Sequence, residues 1–110
     1  MATKLVSPTN FDNRINKKKD DVLKVVDYFA SWCGPCQEIA PDYQALAKEN
    51  NDIQFFKVDV DQLEDVSARH EVSALPTFVF YLNGDEVGRV VGADLEELRD
   101  TVEELKKVSL

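Results

Sequence analysis

The chain has two cysteines, and both lie in Trp32-Cys33-Gly34-Pro35-Cys36. Thiols at this spacing can close and reopen a disulfide within one turn of helix. As a structural staple the bond would add little, because the closed loop is so short. A CxxC in a chain without other cysteines points instead to thiol–disulfide exchange, in which a thiolate attacks a disulfide sulfur. The competing use is half of a zinc site. Zinc wants four ligands, and His70 is the one other usual nitrogen or sulfur donor in the chain. No metal is therefore expected.

Two further residues carry charge where the pattern is apolar. Asp27 interrupts Leu23-Lys24-Val25-Val26-Asp27-Tyr28-Phe29-Ala30, and Lys57 interrupts Ile53-Gln54-Phe55-Phe56-Lys57-Val58. Burying an unpaired carboxylate is costly, so a buried Asp27 should have a raised pKa. Near the thiols, such a group can take the proton of Cys36 as that thiol attacks. The alternative is a strand residue that reaches solvent. Lys57 could pair with Asp27, or lay its stem on the sheet and send its amine to water.

The elements that position these groups follow from periodicity. Lys4 to Val6 reads as a first strand, and Ser7, Thr9 and Asn10 offer caps for a helix through Phe11 and Ile15. Residues 16–21 read as a solvated charged loop. Val22 to Ala30 is nearly continuously apolar, as in a central parallel strand buried on both faces. The spacing of Ile39, Tyr43, Leu46 and Ala47 predicts a helix from about Gly34 to Asn50. Pro35 suits its first turn and Pro41 should kink it. Ile53 to Val60 is a third strand. Asp61 is expected to cap a short helix carrying Leu63, Val66 and His70.

Thr77 to Leu82 and Val87 to Val91 flank Asn83-Gly84, a strong hairpin signal. Asp94 and Glu97 form a capping-box pattern before a last helix with Leu95, Leu98, Val102 and Leu105 on one face. Tyr28, Phe29, Phe55, Phe56, Phe78 and Phe80 are expected as core aromatics. The order β-α-β-α-β-α-β-β-α predicts an α/β fold with a mixed sheet and helices on both faces.

Composition narrows the function classes. The 110 residues suit a single domain over 1–110, and 44% apolar content supports a real core. A net charge of −8 argues against nucleic acid or an anionic membrane as partner. It suits a dispersed monomer. The early residues show no secretory pattern and no apolar run spans a bilayer, so a reducing, cytoplasmic setting is expected. No nucleotide-binding glycine motif is present, and no bound cofactor is expected.

Along nearly its whole length the chain resembles the thioredoxin family. The likeness runs through Val26-Asp27-Tyr28-Phe29-Ala30, the CGPC with its flanking Trp32, and Ile39-Ala40-Pro41. It continues through Lys57-Val58-Asp59, Ala74-Leu75-Pro76-Thr77, Asn83-Gly84 and Val91-Gly92-Ala93. The resemblance implies a mixed five-stranded central sheet flanked by four helices. It implies a protein-disulfide reductase and electron carrier, recycled by an NADPH-dependent thioredoxin reductase and acting on client proteins with disulfides. Cys33 would be the nucleophile at a helix start and Cys36 the resolving thiol. Thioredoxins are themselves the usual illustration of a thiol pKa lowered within a CxxC, so that expectation is inherited with the resemblance.

By the same likeness Asp27 takes the proton-transfer role, and Pro76 follows a cis bond beside the cysteines. Trp32, Gly34, Pro35, Leu75, Pro76, Gly92 and Ala93 would form the rim that meets the client. His70 has no expected catalytic part. There are departures. Many thioredoxins carry a lysine or arginine after the second cysteine, where this chain has Gln37 and then Glu38. Ser73 stands where some animal members have an extra cysteine, which excludes a disulfide-linked dimer through that position. A disulfide isomerase or oxidase domain is the rival enzyme, but such relatives usually place a histidine before the second cysteine. A non-redox binding subunit is the rival outside enzymes.

Overall fold

A computed structural model describes residues 2–108 of the chain. Among them are five strands and four helices: β1 (Thr3–Leu5), α1 (Pro8–Ile15), β2 (Lys24–Phe29), α2 (Gly34–Glu49), β3 (Gln54–Asp59), α3 (Glu64–Arg69), β4 (Thr77–Leu82), β5 (Asp85–Val91) and α4 (Leu95–Val108). The strands form one sheet in the order β1-β3-β2-β4-β5. Strands β1, β3 and β2 run parallel, and β4 and β5 are antiparallel additions. The expected mixed sheet is therefore present, with β2 at its centre.

Alternation on the central strands divides the core in two. Val25, Phe55, Phe78, Phe80 and Val90 pack with Ile39, Tyr43 and Leu46 of α2 and with Leu98 and Val102 of α4. Val26, Tyr28, Phe56, Val58, Val79 and Tyr81 pack on the other face with Phe11 and Ile15 of α1 and Val66 of α3. Each fully buried side chain of this size stabilises the fold by about 1.5–3 kcal/mol. Phe29 departs from expectation. It lies at the end of β2 and is only half-buried.

The ends of the elements follow local chemistry. Ser7 caps α1, its hydroxyl accepting from the Asn10 N–H at 3.0 Å, with Pro8 in the first turn. Asp94 Oδ1 accepts from the Glu97 N–H at 3.0 Å at the start of α4. Asn83 and Gly84 have φ of 53° and 87°, as a two-residue hairpin turn matching strand twist requires. Pro41 lies within α2, where its missing N–H removes one backbone bond without ending the helix.

Two further local expectations fail. Asp61 does not cap α3: Leu63 occupies the cap position without a side-chain bond, and the Asp61 carboxylate is used elsewhere. The 16–21 loop is more than solvated charge. Asp20 accepts from the buried Lys24 ammonium at 2.6 Å, and Asp21 exchanges bonds with Asn83 across the sheet end. Lys24 is 1% exposed, so its charge requires that partner.

Tyr43 ties α2 to the sheet. It is fully buried, and its hydroxyl donates to the Phe56 carbonyl at 2.7 Å, with the Val25 carbonyl at 3.2 Å. Tyr43→Phe keeps the ring and removes the donor. Urea melts should show a loss of about 1–3 kcal/mol, the cost of unsatisfying a buried acceptor. An unchanged midpoint would mean that the strand ladder already satisfies both carbonyls.

Candidate active site

The cysteines sit where β2 gives way to α2. Cys33 has an extended backbone (φ −85°, ψ 110°) and is the N-cap of the helix, and Pro35 lies in the first turn. This places Cys36 one turn in. The two residues are joined as a disulfide, with Cα atoms 5.3 Å apart. The Cys36 N–H points at Cys33 Sγ, 3.2 Å away. A helix-start amide directed at sulfur favours negative charge there, and the helix dipole acts in the same sense. Exposure alone hardly distinguishes the pair: Cys33 is 5% and Cys36 3% exposed. Their difference lies in which sulfur occupies the cap.

The surrounding surface is assembled from three loops. Trp32 is 69% exposed, a large fraction for a lone tryptophan. Its indole Nε1–H donates to Asp61 Oδ2 at 2.8 Å, which holds the ring beside Cys33. Leu75 packs against Ala30, Cys33 and Cys36. The Leu75–Pro76 bond is cis, as the resemblance implied. The Gly92 N–H donates to the Pro76 carbonyl at 2.8 Å, drawing the β5–α4 turn against the proline. Gly92 has φ of 99°, and a side-chain carbon there would meet nothing within 4 Å. Glycine is thus required by the backbone, and the space above it is open. Gly34, Pro35 and Ala93 are exposed.

Beneath this surface lies a cavity of about 100 Å³, lined by Asp27, Phe29, Ala30, Ser31, Cys36, Gln37, Ala40 and Lys57. Asp27 is 1% exposed, and its Oδ1 is buried with no hydrogen-bond partner in the protein. Burial pushes the carboxyl up to about 7, while the nearby Lys57 ammonium pulls the other way. Parallel pairing sets Asp27 directly opposite Lys57. The Lys57 ammonium sits 4.5 Å from the centroid of the Phe29 ring, a cation–π contact on the same face. The structure thus brings Cys36, Asp27 and Lys57 to one pocket. Three further pockets have larger volumes, but neither cysteine lines any of them.

His70 stands apart, on the other face of the sheet. It ends α3, its Nδ1 is 3.0 Å from the Tyr81 hydroxyl, and its ring packs on Phe11. Partial burial lowers its pKa. Among the described residues no group of three or more potential metal-ligating side chains comes together.

Sequence reasoning missed Asp61 as a partner of Trp32, and Gln37 as a partner of Ser31. The first pair is separated by 29 residues and the second bond ends on a backbone carbonyl. Neither leaves a periodic trace. If Asp61 serves to hold Trp32, Asp61→Ala should reduce kcat/KM for a protein disulfide about tenfold, the equivalent of about 1.4 kcal/mol. Oxidised dithiothreitol, which needs no docking surface, should react at the parental rate. Equal loss on both substrates would place the effect on the sulfurs instead.

The thioredoxin family model matches residues 2–104. The chain is 43% identical over 102 residues to Thioredoxin-2 of Saccharomyces cerevisiae, covering 93% of this chain and 96% of the yeast protein. It is 52% identical over 92 residues to Thioredoxin H-type 1 of Nicotiana tabacum, covering 84% and 71%. A thioredoxin structure from Nicotiana alata superposes with a TM-score of 0.91 at 38% identity, covering 94% of this chain and 90% of that one. One from Fasciola hepatica gives 0.86 at 46% identity, covering 93% and 97%. With the CxxC joined at a helix start, in this fold and with these relatives, the chain belongs to the thioredoxin family of thiol–disulfide oxidoreductases.

Proposed function

We propose that the chain, acting as a single domain over 1–110, is a general protein-disulfide reductase and electron carrier of the cytoplasm. The observation that carries this reading is the asymmetry of the pair. Cys33 caps the helix beside an exposed Trp32, and Cys36 faces the pocket of an unpartnered buried carboxyl. In the dithiol form the Cys33 thiolate attacks a client disulfide. One client sulfur leaves with the electron pair and takes up a proton. Cys36 then loses its proton and attacks Cys33 Sγ, so that the second client sulfur leaves and the Cys33–Cys36 bond forms. Two electrons have passed to the client.

Asp27 accepts the Cys36 proton within the cavity, and Lys57 moderates its basicity. Trp32, Gly34, Pro35, Leu75, Pro76, Gly92 and Ala93 meet the client. Proline has no N–H to offer, and the half-buried Leu75 segment is suited to pairing with an extended chain. Among the described residues no helix is long and apolar enough to cross a membrane. An NADPH-dependent thioredoxin reductase restores the dithiol, and the protein works as a monomer without nucleic acid, metal or bound cofactor.

The deciding assay follows NADPH consumption with a thioredoxin reductase and a protein disulfide such as insulin. Steady turnover that requires both cysteines is expected. A flat trace with several reductases would overturn the recycling route, and activity that survived loss of both cysteines would favour the binding-subunit reading.

A further inference from the structure

Gln37 follows Cys36 on the first turn of α2 and is exposed. Its Nε2 donates to the Ser31 carbonyl at 2.5 Å, a bond that runs from the helix back to the turn before Cys33. Both residues line the cavity that holds Asp27, Cys36 and Lys57. Ser31 and Gln37 are exposed while Asp27 and Cys36 are buried, so the bridge lies on the solvent side of that cavity. We propose that Gln37, tethered to Ser31, is a cover over the Asp27–Cys36 cavity: a positioning residue that limits the access of bulk water to the carboxyl and so governs its ionisation.

The chemistry of the lining supports this. A cavity of about 100 Å³ has room for water, which needs two to four polar partners there. Asp27 Oδ1, Lys57 and the Gln37 amide are such partners. Waters held in so narrow a space solvate a carboxylate less well than open solvent does. The surroundings of Asp27 supply few other charges. β3 presents Lys57, α2 presents Cys36 and the buried Tyr43, and β4 places the uncharged Phe78 opposite in register. Lys57 favours the ionised form, so the persistence of a protonated carboxyl near neutrality depends on its burial and poor solvation. A side chain that controls wetting is then well placed to control the proton acceptor.

The inference rests on the reading of Asp27 as proton acceptor, but its test does not. Carbon-13 carboxyl NMR of the oxidised protein, without client, reads the Asp27 midpoint directly. Gln37→Ala removes the cover. Gln37→Asn keeps an amide but lacks the reach to Ser31. Both should move the midpoint down by about one pH unit, toward the ordinary carboxylate range, as water enters. The pH profile of mixed-disulfide resolution should move with it. A role confined to stability would alter melts and leave the titration in place. A midpoint unmoved in either variant overturns the cover. If the midpoint moves but Asp27→Asn resolves mixed disulfides at the parental rate, the cover stands and the proton-acceptor reading falls.

Discussion

Cys36→Ser will accumulate client proteins as mixed disulfides through Cys33, and Cys33→Ser will accumulate none. The expected contrast is close to all or nothing, because the first variant keeps the attacking sulfur and loses only the group that resolves the product. The reason is positional. Cys33 Sγ occupies the helix cap and receives the Cys36 N–H at 3.2 Å, so the thiolate forms where backbone amides and the helix dipole stabilise it. Cys36 lies inside the first turn rather than at the cap. Burial does not separate the two, at 5% and 3% exposure, so any asymmetry in trapping must come from electrostatics and from the approach past Trp32 and Leu75. Mass spectrometry of non-reduced complexes identifies the linked cysteine. Equal trapping by both variants would remove the assignment of roles and, with it, the argument from the cap.

The parts of the fold visible in the sequence are those with a local physical signature. Continuous apolar character marked β2 as buried on both faces. Helical spacing of Ile39, Tyr43 and Leu46 marked α2, and Asn83-Gly84 marked the hairpin by its demand for positive φ. The CxxC and the misplaced charges at Asp27 and Lys57 were equally plain, since each violates or interrupts a pattern. Their meeting in one pocket was left open by pattern alone. It required the parallel register that sets residue 27 against residue 57.

What stayed hidden depends on rotamers and on contacts between distant segments. Asp61 looked like a helix cap because it precedes α3. Leu63 instead takes the cap position, and the Asp61 carboxylate accepts from the Trp32 indole. The 16–21 loop looked like solvated charge, yet Asp20 neutralises Lys24, whose burial follows from its place in the central strand. Gln37 showed only as a departure from the family pattern, whereas the fold bonds it to Ser31 and sets both in the lining of the cavity.

Asp27→Asn should slow resolution of the mixed disulfide, leave the first attack near its parental rate, and make the protein more stable at and above neutral pH. The kinetic half follows from chemistry: an amide has the shape of the carboxyl but cannot accept the Cys36 proton, and losing a general base costs about 10²–10⁴-fold. The stability half follows from linkage. Burial raises the folded pKa from 3.8 to about 7, with Lys57 opposing. Between those values the folded protein holds a proton that the unfolded chain has released. Stability from this group is therefore fully present below about pH 4 and is lost as pH climbs through about 7, after which the loss levels off. The full loss is on the order of a few kcal/mol. The variant has no such loss. Burying an amide in place of a carboxylic acid adds an offset that does not depend on pH, and His70 titrates in both proteins, so the difference between their stability curves isolates Asp27. That difference should be flat below about pH 4, rise in favour of the variant up to about pH 7, and be flat again beyond. Denaturant melts across that range and rapid-mixing kinetics near neutrality test the two halves separately. A difference curve that stayed level throughout would mean that Asp27 is ionised and satisfied in the folded state. If resolution were also unaffected, the proton of Cys36 would have to leave by another route.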